Sequence, residues 1–127
     1  MRQLFERWLD WPRVVPQPGG CLFVAAATEL DDKPGPARDV LVQLQRDWLE
    51  VIANAVRTAI GAGDFHDEVD PEQFAQDLYG IMLACHHATR LLRDPRAVAR
   101  ARRSEAVQAS WPSAYCGSCW CPARCSG

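Results

Sequence analysis

The sequence has 127 residues, of which 48% are hydrophobic and 24% are charged, and its formal net charge is −2. This composition is typical of a soluble globular domain and gives no bulk attraction to nucleic acid. No apolar run approaches the roughly 20 residues needed to span a bilayer, and the charged, amphipathic first residues do not form a secretory signal. We therefore expect a cytoplasmic protein that does not enter the membrane.

Helical patterns follow one another from the first residues onward, and no sustained alternation of β-branched residues predicts a strand. Residues 2–10 carry apolar side chains at helical spacing. The prolines and glycines of residues 12–20 then predict a rigid loop. An Ala-rich helix is predicted over residues 21–30. A long helix should begin at Pro36, because proline fits the first helical position, and glycines should end it near residue 61.

Two aspartate–proline pairs predict where the last two helices begin. Asp70 can cap a helix over residues 71–93, whose first residue is a proline. Asp94 repeats this arrangement before a helix over residues 95–107. Together the patterns predict an all-α fold, an antiparallel bundle of about five helices.

The stretch between Leu78 and Cys85 is apolar on every side, so a helix there needs cover on every face. The bundle can cover one face, and a second copy of the chain is the simplest cover for the other. Small residues recur every four positions and would let two helices approach closely. We predict a homodimer through helices 71–93 and 95–107, with a central helix of a monomer as the alternative. The predicted interface residues are Leu78, Gly80, Ile81, Ala84, Ala88 and Leu91.

The composition changes after residue 107. We expect residues 1–108 to form one domain and residues 109–127, rich in Ser, Cys, Pro, Trp and Gly, to form an unstructured tail. Four thiolates in the tail could hold zinc. Structural zinc sites usually come as two well-separated pairs, however, so we expect no metal site there. The four tail cysteines are Cys116, Cys119, Cys121 and Cys125.

Motifs of catalysis do not occur: the sequence has no Gly-rich phosphate loop, no Gly-x-Ser-x-Gly and no His-Glu-x-x-His. Cys85 and His86 diverge by about 100° on a helix and cannot pair as nucleophile and base. We therefore expect no enzyme and no cofactor. The arginines between Arg90 and Arg103 lack interleaved aromatic residues, which favours a solvated helix face with ion pairs over a nucleic-acid patch.

Several segments resemble a known family. A Trp-containing helix is followed by Gly19-Gly20-Cys21-Leu22-Phe23, and later by the sequences DDKPGPARD at residues 31–39, QRDWL at residues 45–49 and LLRDP at residues 91–95. Over residues 1–105 the chain resembles the C-terminal domain of a TetR/AcrR-type transcriptional regulator, a repressor family. The resemblance implies effector binding and dimerisation, with transcription regulated by the full-length parent.

The same resemblance implies that DNA would be contacted only through an N-terminal helix-turn-helix domain. No such domain precedes Met1, so we expect a truncated gene or a misassigned start. The effector is expected to be small and hydrophobic and to lie among the long helices. The candidate ligand-binding residues are Phe23, Trp48, Ile52, Phe74 and Met82, with His86 as a polar contact. The alternative is a free-standing helical interaction protein with a zinc-binding tail.

Overall fold

The computed structural model describes residues 2–14 and 20–110, and within these ranges the chain forms five α-helices and no strand. This confirms the predicted all-α class. None of these helices is both long and apolar enough to cross a membrane. The helices are α1 (Arg2–Val14), α2 (Leu22–Leu30), α3 (Pro36–Gly61), α4 (Pro71–Arg90) and α5 (Ala97–Ser110).

The core lies where α4 packs between α3 and α5. Helix α2 packs against α3, and α1 packs against α5. Phe5 brings α1 into the core, where it is fully buried and stacks on the half-buried Trp8 with ring centroids 6.1 Å apart. Burial of large apolar side chains is the main stabilising contribution to such a bundle. The largest fully buried side chains are Phe5, Ile52, Val56, Leu78 and Met82.

Both long helices begin where local signals predicted. Helix α3 follows Gly35, whose φ of +150° belongs to a region that side chains rarely adopt, and begins at Pro36. Helix α4 begins at Pro71, after Asp70. The Asp70 carboxylate accepts hydrogen bonds from the backbone N–H groups of Glu72 and Gln73, at 3.0 and 3.1 Å. Two of the unpaired N–H groups of the first turn are thereby satisfied.

Two helix ends differ from the sequence prediction. Helix α1 continues past Pro12 to Val14, because a proline removes one backbone donor but has a φ compatible with a helix. Helix α4 ends at Arg90, three residues earlier than predicted. The turn that follows places Arg93 in the left-handed region, at φ +52°, and a residue there cannot continue the helix.

Helix α5 begins two residues later and ends three residues later than predicted. Asp94 accepts the backbone N–H of Arg96 on its side chain and that of Ala97 on its carbonyl, so the helix begins at Ala97. At the other end, the Gln108 side-chain amide donates to the carbonyl oxygen of Phe74 at 3.0 Å. Helix α5 continues to Ser110, so residues 109 and 110 of the predicted tail are helical, whereas residues 111–127 lie outside the described residues.

Helices α1 and α5 are joined by a two-pronged ion pair. The Arg102 guanidinium donates to both carboxylate oxygens of Glu6, at 2.8 and 2.7 Å. Hydrogen bonding from Arg102 lowers the pKa of Glu6. Arg100 also forms an ion pair, with Asp94. These pairs agree with the prediction that the arginines form a solvated helix face.

Replacing Asp70 with alanine should lower the melting temperature by a few degrees at neutral pH, because α4 loses its side-chain cap. The pKa of Asp70 lies below its ordinary value of 3.8, chiefly because the Gln73 N–H binds the carboxylate. A carboxylate with a lowered pKa contributes stability above its unfolded-state pKa and loses that contribution as the pH falls through its folded-state pKa. The difference in melting temperature should therefore shrink below about pH 3.8.

The matched control is Asp70→Asn, since asparagine caps a helix about as well and does not titrate. Melting curves followed by circular dichroism at pH 7 and pH 3 would compare the three proteins. An alanine variant as stable as wild type at neutral pH would show that the cap contributes nothing.

Candidate binding cavity

A cavity of about 770 Å³ lies between α1, α2, α3 and α4. Ligand sites of proteins commonly have volumes of about 300–1,000 Å³ and mostly apolar linings. The lining here is predominantly apolar, and five of its residues are aromatic. Its aromatic side chains are those of Trp8, Trp11, Phe23, Trp48 and Tyr79.

Helical periodicity places these side chains on the cavity side. Positions three, four or seven residues apart share a helix face. Each of α1, α3 and α4 contributes one such set, and α2 covers the cavity with Phe23 and Val24. The three sets are Leu4, Trp8 and Trp11 on α1; Leu44, Trp48 and Val51 on α3; and Tyr79, Met82 and Leu83 on α4.

Few polar groups reach the cavity. The Tyr79 hydroxyl donates a hydrogen bond of 2.6 Å to Oε1 of Gln45. Partial burial raises the pKa of Tyr79, so the hydroxyl stays protonated at neutral pH. Arg7 and Asp47 bring one charge of each sign to the lining. A mostly apolar wall with a few fixed polar groups suits a small hydrophobic molecule that carries a limited number of hydrogen-bonding atoms.

The structure brings together three of the six predicted ligand-binding residues. Phe23, Trp48 and Met82 line the cavity. Ile52 and Phe74 are instead core residues: Ile52 is fully buried, and Phe74 packs against Phe65 with ring centroids 5.3 Å apart. Neither of them belongs to the lining of the cavity.

His86, the predicted polar contact, also lies outside the cavity lining. Its side chain is half-buried on α4. Burial lowers the pKa of His86, and the nearby Arg90 and His87 lower it further. The imidazole is therefore neutral at pH 7. The polar groups that do reach the cavity come from other positions, among them Gln45 and Tyr79.

The cavity residues of α1 were not among the predicted ligand-binding residues. Trp8 and Trp11 are three residues apart and four and seven residues after Leu4, which indicates one apolar face. That signal alone does not distinguish a cavity wall from a core face. The exposure of Trp11, at 58%, is the structural observation that separates it from core residues such as Phe5.

The predicted dimer residues divide into surface and core positions. Gly80 and Ala84 are exposed on the side of α4 away from the core, and Leu91 is 71% exposed just after the helix. Ile81 and Ala88 are half-buried at the edges of this face. Leu78 is fully buried in the core and offers no side-chain surface to a partner.

Within the described ranges, no three His, Cys, Asp or Glu side chains lie close enough together to hold a metal ion. The cysteines at positions 116–125, for which the sequence suggested a zinc alternative, lie outside these ranges.

The domain is thus all-helical and has a mostly apolar, aromatic-lined cavity among its helices, within the size range of ligand sites in other proteins. The sequence model of a family described as "Tetracyclin repressor-like, C-terminal domain" matches residues 1–104, and the chain belongs to this family. Comparisons with curated proteins and with solved structures found no match. Domains of this family are regulatory parts of transcription regulators, which are not enzymes, and they typically dimerise and bind small-molecule effectors.

Proposed function

We propose that this domain binds a small hydrophobic effector in the cavity between α1 and α4, and that it dimerises through α4 and α5. Effector binding would then control a transcriptional repressor in the cytoplasm, with DNA contacted by a separate DNA-binding domain of the parent protein. The observation that carries the proposal is the cavity itself, whose size and aromatic lining suit a small apolar molecule.

The position of α4 supports a link between effector binding and dimerisation. One side of this helix lines the cavity through Tyr79 and Met82. The opposite side exposes Gly80 and Ala84, which belong to the proposed dimer surface. A ligand that shifts α4 would therefore also change the surface offered to the second copy.

Helix α1 offers a second connection. It lines the cavity with Trp8 and Trp11 and is joined to α5 by the ion pair between Glu6 and Arg102. Helix α5 is the other helix of the proposed dimer surface. Of the two helices that would meet the partner, α4 is thus itself a wall of the cavity, and α5 is joined to a second wall, α1.

Binding of 1-decanol should shift the indole N–H signals of Trp8, Trp11 and Trp48, because all three rings line the cavity. The measurement is a ¹H–¹⁵N correlation spectrum recorded during a decanol titration, with signals assigned from single Trp→Phe variants. We expect the three shifts to saturate together with one dissociation constant. Unshifted signals, or shifts that rise without saturation, would contradict binding in the cavity.

A further inference from the structure

A second cavity, of about 520 Å³, lies beside the first between α2, α3 and α4. Its walls are also mostly apolar and include Leu30, Leu41 and Leu49. The two cavities are neighbours, because four residues line both of them. The shared residues are Val24, Gln45, Tyr79 and Leu83.

Two of the four shared residues are hydrogen-bonded to each other. Tyr79 extends from α4 and Gln45 from α3, and the hydroxyl donates to the amide oxygen at 2.6 Å. Tyr79 is half-buried, so separating the pair inside an apolar ligand site would leave polar atoms without partners. Separating the pair to make room for an apolar chain would therefore cost free energy.

Helix α2 covers both cavities. Val24 contacts each of them, whereas Phe23 lines only the first and Leu30 only the second. None of the side chains of α2 is fully buried. Of the four residues that line both cavities, Val24 and Leu83 are apolar, so the Tyr79–Gln45 pair is the polar, hydrogen-bonded feature that the two cavities share.

We propose that the Tyr79–Gln45 pair sets the maximum length of the effector. An unbranched alkyl chain would fill the first cavity and stop at the pair. Opening the pair would admit a longer chain into the second cavity. This inference rests on the proposed function, since it assumes that the first cavity is the effector site.

The test uses the n-alkanols from hexanol to dodecanol and measures their dissociation constants by isothermal titration calorimetry. For the wild-type protein, the affinity should rise by about fourfold per methylene while the chain is being buried, and then level off when the chain reaches the pair. In Tyr79→Ala the rise should continue to longer alkanols. We call the alkanol length at which the affinity stops rising the break. Gln45→Ala removes the other half of the pair and should also move the break to longer alkanols. The test therefore stands even if Tyr79→Ala does not fold.

The matched control is Gln76→Ala, which is exposed on α4 outside both cavities and should leave the alkanol length at which the affinity levels off at its wild-type value. A wild-type break that stays in place in both Tyr79→Ala and Gln45→Ala would overturn the inference and leave the proposed function standing. A wild-type affinity that rises through dodecanol without levelling off would also overturn the inference and leave the proposed function standing. If no alkanol binds the wild-type protein, the proposed function fails, and the inference fails with it.

Discussion

Replacing Gly80 with tryptophan should weaken the proposed dimer and shift the domain toward the monomer. Gly80 lies on the exposed side of α4, and a Cβ built at this position meets no atom within 4 Å. A single copy can therefore accommodate the larger side chain. Against a second copy, the indole would hold the two helices apart, and misfit in a packed interface costs about 1–3 kcal/mol. We expect the dimer to weaken by about tenfold or more.

Gly80→Ala is the control for this experiment. Alanine keeps the side chain small, so the dimer should persist, and its higher helix propensity should stabilise α4 by about 1 kcal/mol. Sedimentation equilibrium at micromolar concentrations measures the association of all three proteins. A wild-type monomer would contradict the proposed dimer, and a Gly80→Trp variant that dimerises as well as wild type would exclude Gly80 from the interface.

Local signals in the sequence were enough to predict the starts of the long helices. A proline in the first turn and a capping aspartate act within a few residues, so Pro36 and Pro71 begin α3 and α4 as predicted. Helix ends depend on less local effects. The α4–α5 turn ends α4 early by placing Arg93 at positive φ, and no residue type in that stretch indicates this conformation.

The cavity could be predicted only in part, because periodicity shows which residues share a face but not what the face meets. Trp48 and Ile52 are one helical turn apart on α3. Trp48 reaches the cavity and Ile52 is fully buried in the core. The difference depends on where α1 and α2 lie across α3, which is a tertiary property. For the same reason, Phe74 was predicted to bind the ligand, whereas Tyr79, which lines the cavity, was not.

The apolar pattern of α4 predicted more about that helix than periodicity predicted about the cavity. A helix that is apolar on all sides predicted cover on two faces, and the structure shows one of these faces in the core, at Leu78 and Met82. Gly80 and Ala84 are exposed on the other side in the single chain. Which apolar positions fall on which face follows from the packing of α4 between α3 and α5, and the run of apolar letters alone does not reveal it.

Filling the cavity with a side chain is the most direct test of whether the cavity is the effector site. Leu44 lines the cavity from α3 and is 45% exposed, so a tryptophan there can occupy the space without disturbing the core. Val40 lies one turn earlier on the same helix, is 60% exposed, and lines neither cavity. Leu44→Trp and Val40→Trp are therefore a matched pair that differs in whether the added ring enters the cavity.

The measurement is the dissociation constant of 1-decanol for the two variants and the wild-type protein, by calorimetry. Excluding as little as two methylene groups of the ligand should cost about tenfold in affinity, at about 0.8 kcal/mol for each. We predict that Leu44→Trp binds decanol at least about tenfold more weakly than wild type and that Val40→Trp binds it as wild type does. Equal affinity for all three proteins, or no binding to the wild-type protein, would contradict an effector site between α1 and α4.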